Sequence, residues 1–564
     1  MTRRGFGAAA IAAALVASPA AAADCTPNLI IVNAKVHTVD REKPSAEAIA
    51  ICGEVIGRVG RSADVRKLAG PDTRVFDAEG RLVVPGFNDA HVHLLSGADE
   101  IVGVNLRPAR SEAEMAEKLR AYAARLPKGQ WIQGGYWDHE AWASKALPTR
   151  RALDAVTPDH PVFVQRLDGH MAVANSLAMR LAGVTREARS PEGGTIVRDA
   201  SGEVTGVFKD NAMTLVSRVI PADTLPETIE KARAALSHAA SLGVTTIQDM
   251  TASPTELRAY QALRAAGELT ARIYSIQNHG IEGLQSAGIA SGFGDDWLRV
   301  GGLKLFADGS MGSGTAAFFA PYNDEPGTSG LLLQSSVALE QAIFDADAAG
   351  FQVVVHAIGD KANAIVLDAV EKLNRERGKR DRRARIEHAQ VVRDVDKKRF
   401  KPAGVIASIQ PSHCIDDMRW AEKRIGRERS AVAYDFKSFV DAGAAIAFGT
   451  DWYVEPLDPM LGLYAAVTRQ FPDGTPAGGW FPEERLTMQQ AVEFYTLGAA
   501  YAEFAEQRKG SITEGKLADL VVLSRDIFEV APREILETRP VLTVVGGKPV
   551  YDAAAARARA PGER

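Results

Sequence analysis

Residues 351–388 read FQVVVHAIGDKANAIVLDAVEKLNRERGKRDRRARIEH. The apolar run 351–356 has the length and β-branched content of a buried strand, and 361–377 repeats apolar residues every three or four positions before Gly378. A second short strand candidate, 383–388, follows. Strand, helix and strand in that order describe two parallel strands joined by a crossover helix, because parallel neighbours need a connection of this length. Each of the two strands ends in a histidine, His356 and His388.

Further strands of the same kind are expected at 82–93, 244–250, 272–279, 298–306, 405–410 and 444–451, with helical patterns such as 337–349, closed by Gly350, between most of them. Eight such units predict an α/β fold, a TIM (β/α)8 barrel over 81–509, in which active-site groups gather at the C-terminal ends of the strands. The stretch 94–242 is too long for one loop and is expected to be an insertion over the mouth. Short apolar or alternating runs at 29–32, 48–51, 520–523 and 541–545 predict that 24–80 and 510–564 pair into one small discontinuous β domain.

Composition excludes several function classes. The chain has 564 residues, 66 Lys or Arg against 71 Asp or Glu, a formal charge of -5 and three cysteines. A basic nucleic-acid binder, a disulfide-stapled miniprotein and a disordered chain would each carry a different balance. Residues 1–23 read as a signal peptide: Arg3-Arg4-Gly5-Phe6 before an Ala-rich run matches a twin-arginine signal, with cleavage near Ala22 or Ala23. A periplasmic or secreted protein is therefore expected, with no membrane span after cleavage. Cys25 and Cys52 could pair in such a compartment, and the sequence leaves that open. Cys414 reads as a small buried residue.

The residues that close the strands form a metal-ligand set: His91 and His93, Lys304, His356, His388 and Asp451. Alternation along a strand turns His91 and His93 to one face, where both can hold one ion. Lys304 lies in an apolar strand, where an ammonium is costly without a partner. Two readings stay open for it: an ion pair with Asp308 or Asp451, or a lysine carbamylated by carbon dioxide into an anionic ligand that bridges two cations.

The segments PGFNDAHVH (85–93), KLFADGS (304–310), VHAIGD (355–360), EHAQ (387–390), GTDW (449–452) and GSITEGKLADL (510–520) resemble the motifs of the amidohydrolase superfamily. Within it they are most similar to the branch that includes N-substituted formamide deformylases. The resemblance covers almost the whole chain after the signal. It implies a distorted barrel with a β-sandwich built from both termini, and His91, His93, carbamylated Lys304, His356, His388 and Asp451 as ligands of two divalent ions. Zinc suits such a donor set, and manganese, iron or cobalt fit the same ligand types.

The expected activity is hydrolysis of a C–N bond, an amide, N-acyl or N-formyl group of a small molecule, by metal-activated hydroxide with Asp451 as proton shuttle. An esterase or lactonase with the same centre is the alternative, as is a non-catalytic periplasmic binding protein. Missing ligands would favour the last, and none is missing. Trp137, Arg166, His170 and His413 are expected to contact substrate, together with the aromatic surface of Tyr136 and Trp142. Against this stand packing of the aromatics within the insertion and a salt bridge from Arg166 or His170 to Asp168 or another acid. No nucleic-acid partner is expected, and a homodimer is compatible with the sequence.

Overall fold

The computed structural model describes residues 25–559, so the signal segment expected at 1–23 lies outside the described residues. Eight strands form one sheet: β1 (Phe87–Val92), β2 (Val244–Thr251), β3 (Arg272–Gln277), β4 (Leu298–Phe306), β5 (Gln352–Ala357), β6 (Ala384–His388), β7 (Val405–Ile409) and β8 (Ala445–Phe448). Every neighbouring pair is parallel. The two outer strands meet just past their ends. The Asp451 N–H donates to the His91 carbonyl at 2.7 Å and the His93 N–H to the Trp452 carbonyl at 2.8 Å. The result is a nearly closed, distorted TIM barrel.

The connecting helices follow from burial. β5 and β6 are buried along their whole length, so both faces need apolar cover. Helix Asp360–Arg377 supplies part of it through Val366, Leu367, Val370 and Leu373, and ends at Gly378, whose φ of +75° suits a residue without a Cβ.

The strand expected at 82–93 is two strands in two sheets. Leu82–Pro85 pairs antiparallel with Leu520–Leu523 and parallel with Lys35–His37, whereas β1 belongs to the barrel. Gly86 makes the change of sheet possible, because a Cβ there would lie 2.2 Å from the Thr245 side chain of β2. The β unit built from the chain ends therefore runs to Pro85.

That unit has two sheets, one of four strands (Val55–Gly60, Ala48–Cys52, Leu29–Val32, Arg74–Asp77) and one of six that adds Lys548–Asp552, Pro540–Val545, Leu520–Leu523 and Ser45–Ala46 to the two strands just named. Ile31, Ile49, Val83, Val522 and Val544 share the core between them. Cys25 and Cys52 are joined by a disulfide, their Cα atoms 6.1 Å apart. Arg272, the first residue of β3, holds Asp519 through two buried hydrogen bonds of 2.6 and 2.9 Å, which ties this unit to the ends of the barrel strands opposite the histidines.

Between β1 and β2 the chain forms a further six-stranded sheet, from Val104–Asn105 to Val204–Asp210 in sequence. The loop after its strand Phe163–Arg166 reaches the barrel mouth. Among the described residues no helix is long and apolar enough to cross a membrane.

Candidate metal centre

The strand ends converge. His91, His388 and Asp451 are buried and each places a ligand atom within 4.8 Å of the other two. Asp451 Oδ1 lies 3.5 Å from His91 Nε2 and 3.3 Å from His93 Nε2, and Oδ2 lies 3.8 Å from His388 Nδ1. The His356 ring sits 4.6 Å from that of His388, and Lys304 Nζ is 3.1 Å from His91 Nε2. All six residues read from the sequence as ligands thus gather in one place, from β1, β4, β5, β6 and the loop after β8.

Local backbone geometry aims them. In a regular pleat Glu387 and His388 would point to opposite faces, but His388 has φ +74° and leaves the pleat at the strand end. Asp451 has φ +59°. Left-handed backbone at a non-glycine residue costs about 1–3 kcal/mol and persists only where its surroundings impose it. For Asp451 the imposing group is Asp89, which accepts from the Thr450 N–H at 2.9 Å and its hydroxyl at 2.6 Å.

The histidines are set up as neutral donors. His91 Nδ1 contacts Glu387 Oε2 at 2.5 Å, and His388 Nδ1 contacts Gln410 Oε1 at 2.8 Å. A ring N–H given to each acceptor leaves the Nε2 lone pair free, the arrangement that metal-ligating imidazoles use. Burial, reinforced by Lys304, lowers His91 to about 4, and burial pushes His356 and His388 well below the ordinary imidazole range. Neutral rings are what ligation requires. Asp451 Oδ1 is buried and has no hydrogen-bond partner. An orphaned carboxylate oxygen among neutral imidazoles fits a divalent cation, which would remove the cost of leaving it unpaired.

The structure bears on the first of the two readings of Lys304, the ion pair. Lys304 makes no ion pair with Asp308 or Asp451 among the described residues, and Asp308 is occupied by the N–H groups of Ala317, Ile358 and Gly359 at 2.8, 3.0 and 2.9 Å. Burial lowers Lys304 to about 8 against the pull of Glu387 and Asp451. The ion-pair alternative therefore has no partner to supply it.

A cavity of about 260 Å3 opens above this cluster. His170 and His413 line it; Trp137 does not. Trp137 is fully buried in the insertion core, donates its Nε1–H to the Val164 carbonyl at 2.9 Å and packs near Trp142, so it corrects the expected substrate contact to a packing role. Tyr136 stacks on Tyr453, with centroids 4.2 Å apart, and it is Tyr453 that faces the cavity. Arg166 lines the wall but its charge is already matched by Asp138 at 3.0 Å and Asp168 at 2.6 Å. The His170 ring is held by Asp210 at 2.7 Å, and Asp168 accepts the His170 backbone N–H at 3.2 Å. His413 accepts from Gln390 Nε2 at 3.2 Å, and its Nε2 is buried without a partner 3.7 Å from Asp451 Oδ2.

Sequence reasoning missed Glu387, Gln410, Trp420, Tyr453 and Glu455. The first two had a signal, since a polar residue beside a strand-terminal histidine or at the next strand's end is placed to orient a ligand. Gln410→Leu is expected to weaken metal binding about 10–100-fold, because it frees the His388 ring, with little change in the unfolding midpoint. Metal titration of the purified variant beside wild type checks this.

Comparison with known proteins gives the family and the fold. The model of the amidohydrolase family matches residues 74–551. Protein LONG AFTER FAR-RED 3 of Arabidopsis thaliana is 35% identical over 93% of this chain and 91% of its own length. The N-substituted formamide deformylase of Arthrobacter pascens is 28% identical over 93% of this chain and 98% of its own. Among solved structures, a metal-dependent hydrolase from Pyrococcus horikoshii OT3 superposes with a TM-score of 0.74 at 30% identity, covering 89% of this chain and 99% of that one.

Proposed function

The chain belongs to the amidohydrolase family and is a metal-dependent hydrolase, and from that premise we propose that it cleaves the C–N bond of a small amide, N-acyl or N-formyl compound at the strand-end cluster. The observation that carries this reading is the convergence of His91, His388 and the unpartnered Asp451 Oδ1 beneath a cavity of small-molecule size. Bound by His91, His93, His356, His388, Asp451 and carbamylated Lys304, a pair of divalent ions, zinc by donor type, would polarise the substrate carbonyl and lower the pKa of water.

The remaining steps belong to the protein. Asp451 takes up the proton released as water adds to the carbonyl and delivers it to the departing nitrogen, since an amine leaves poorly as its anion. The N–H of His413 at Nε2, unpartnered and beside Asp451, is placed to donate to substrate. Lys304 becomes a ligand by adding its neutral amine to carbon dioxide, giving an N-carboxylate and one proton. A pKa of about 8 leaves roughly a tenth of the amine neutral at pH 7, against well under a hundredth for an ordinary lysine. The Arg3-Arg4 signal supports export as part of the same reading.

Elemental analysis of protein purified without chelator is the first test. About two ions per chain, with turnover of a panel of N-formyl and N-acyl amines, supports the proposal; near zero, with no gain on adding metal and bicarbonate, sinks it. Lys304→Ala is expected to lose at least one ion. In metal-stripped wild type, recovery by bicarbonate and metal is expected to quicken as pH rises through about 8, because the neutral amine is the reacting form. Recovery that is independent of bicarbonate would exclude the carbamate.

A further inference from the structure

The cavity is lined by more carboxyl groups than the reaction at the metal cluster uses. Asp168, Asp416, Asp417 and Glu455 line it together with Trp420 and Tyr453. The nearby guanidiniums are already committed. Arg166 pairs with Asp138 and Asp168, Arg419 pairs with Asp416 at 2.8 Å and Asp138 at 3.1 Å, and Arg107 pairs with Glu100 and donates to the Val454 carbonyl. Two of these cations thus share three carboxylates before Asp417 and Glu455 are counted.

Among the described residues the Asp417 carboxylate accepts only the Tyr434 hydroxyl. Glu455 is 6% exposed, faces the cavity, and has no hydrogen bond or ion pair among the described residues. An unmatched carboxyl at that depth is expensive unless something enters to pair with it. The acids do not converge on one point as ligands of an ion do, since the convergent set of described residues is His91, His388 and Asp451. They are spread along a wall that also presents two aromatic side chains. Spread acids beside aromatic faces suit an organic cation, whose charge is diffuse and whose methyl or methylene groups pack on rings.

We propose that the substrate of the hydrolase carries a cationic group, an alkylammonium, which Glu455 and Asp417 receive against Trp420 and Tyr453 while the scissile carbonyl lies at the strand-end cluster. This deepens, and rests on, the amide-hydrolase reading. The titration of the two acids is consistent with it. Burial, then Asp416 and Asp417, pushes Glu455 well above the carboxylate range, and burial with Asp416 raises Asp417 to about 8. A bound cation would relieve both.

The test compares two formamides, one whose N-propyl chain ends in trimethylammonium and its isostere ending in tert-butyl. Metal-loaded wild type is expected to prefer the cation in kcat/KM by about tenfold or more, and Glu455→Gln to bring the ratio within about threefold. Equal turnover in wild type, or a preference that survives both Glu455→Gln and Asp417→Asn, overturns the proposal. Calorimetry separates it from the amide reading. If neither formamide is hydrolysed, binding of the trimethylammonium compound to wild type, with loss in Glu455→Gln and none for the tert-butyl compound, still supports the cation site. Absence of that binding overturns it.

Discussion

Asp451→Asn is expected to lower kcat/KM for an amide by about 10²–10⁴-fold, the range over which a positioned acid–base group acts. The expectation follows from where the carboxylate sits. Its Oδ1 is buried, lacks a hydrogen-bond partner, and lies within 3.5 Å of two imidazoles, while its backbone is held at φ +59° by contacts that do not involve the side chain. Asparagine keeps the shape and an oxygen but cannot carry the proton. An activated ester, whose alkoxide leaves without protonation, is expected to lose far less. The pair of substrates thus separates two functions of one residue: a common loss on amide and ester would mean that Asp451 acts as a ligand alone, and metal content measured on the same preparation shows whether the ion is still bound. A larger loss on the amide, with metal retained, assigns the proton transfer to Asp451.

How far the sequence led can be judged from individual residues. The barrel was legible because its strands are buried on both faces and read as short apolar runs, and because histidines mark where three of them, β1, β5 and β6, end. Leu82–Pro85 was misassigned to the barrel for a physical reason: it and β1 are both apolar and contiguous, and only the collision that a side chain at Gly86 would make with Thr245 reveals that the chain changes sheet. Trp137 was misread because an aromatic in an insertion over a mouth has no sequence property that distinguishes wall from core; its burial and its bond to Val164 are tertiary facts. Glu455 was silent for the opposite reason. A lone acid in a loop is normally solvated, and its depth here depends on Asp416, Asp417 and Trp420 arriving from after β7.

Arg385→Met is expected to destabilise the fold by about 3–5 kcal/mol, the cost of breaking a buried ion pair from one side. Both Arg385 and Glu387 are fully buried on β6. The guanidinium donates to Glu387 Oε1 at 2.7 Å and Oε2 at 3.0 Å, to the Ala90 carbonyl of β1 at 2.6 Å, to Ser408 Oγ of β7 at 3.1 Å, and to Gln248 of β2, so one side chain joins four strands inside the barrel. The same contact sets the charge of Glu387. Burial alone would raise that carboxyl, but Arg385 first and His91 next outweigh it and hold it at about 2, below the 4.5 of an unburied glutamate. A depressed carboxylate stabilises the folded state above about pH 4.5 and loses that contribution as pH falls toward 2, here on the order of 3 kcal/mol in all. In the variant Glu387 keeps burial without its cation, so its folded pKa rises and acid no longer works against it. The difference in unfolding free energy between wild type and Arg385→Met, measured by denaturant titration, should therefore narrow between about pH 6 and pH 3. A gap of constant size would mean that Arg385 stabilises the barrel through Ala90, Ser408 and Gln248 alone, and that Glu387 is held ionised by His91.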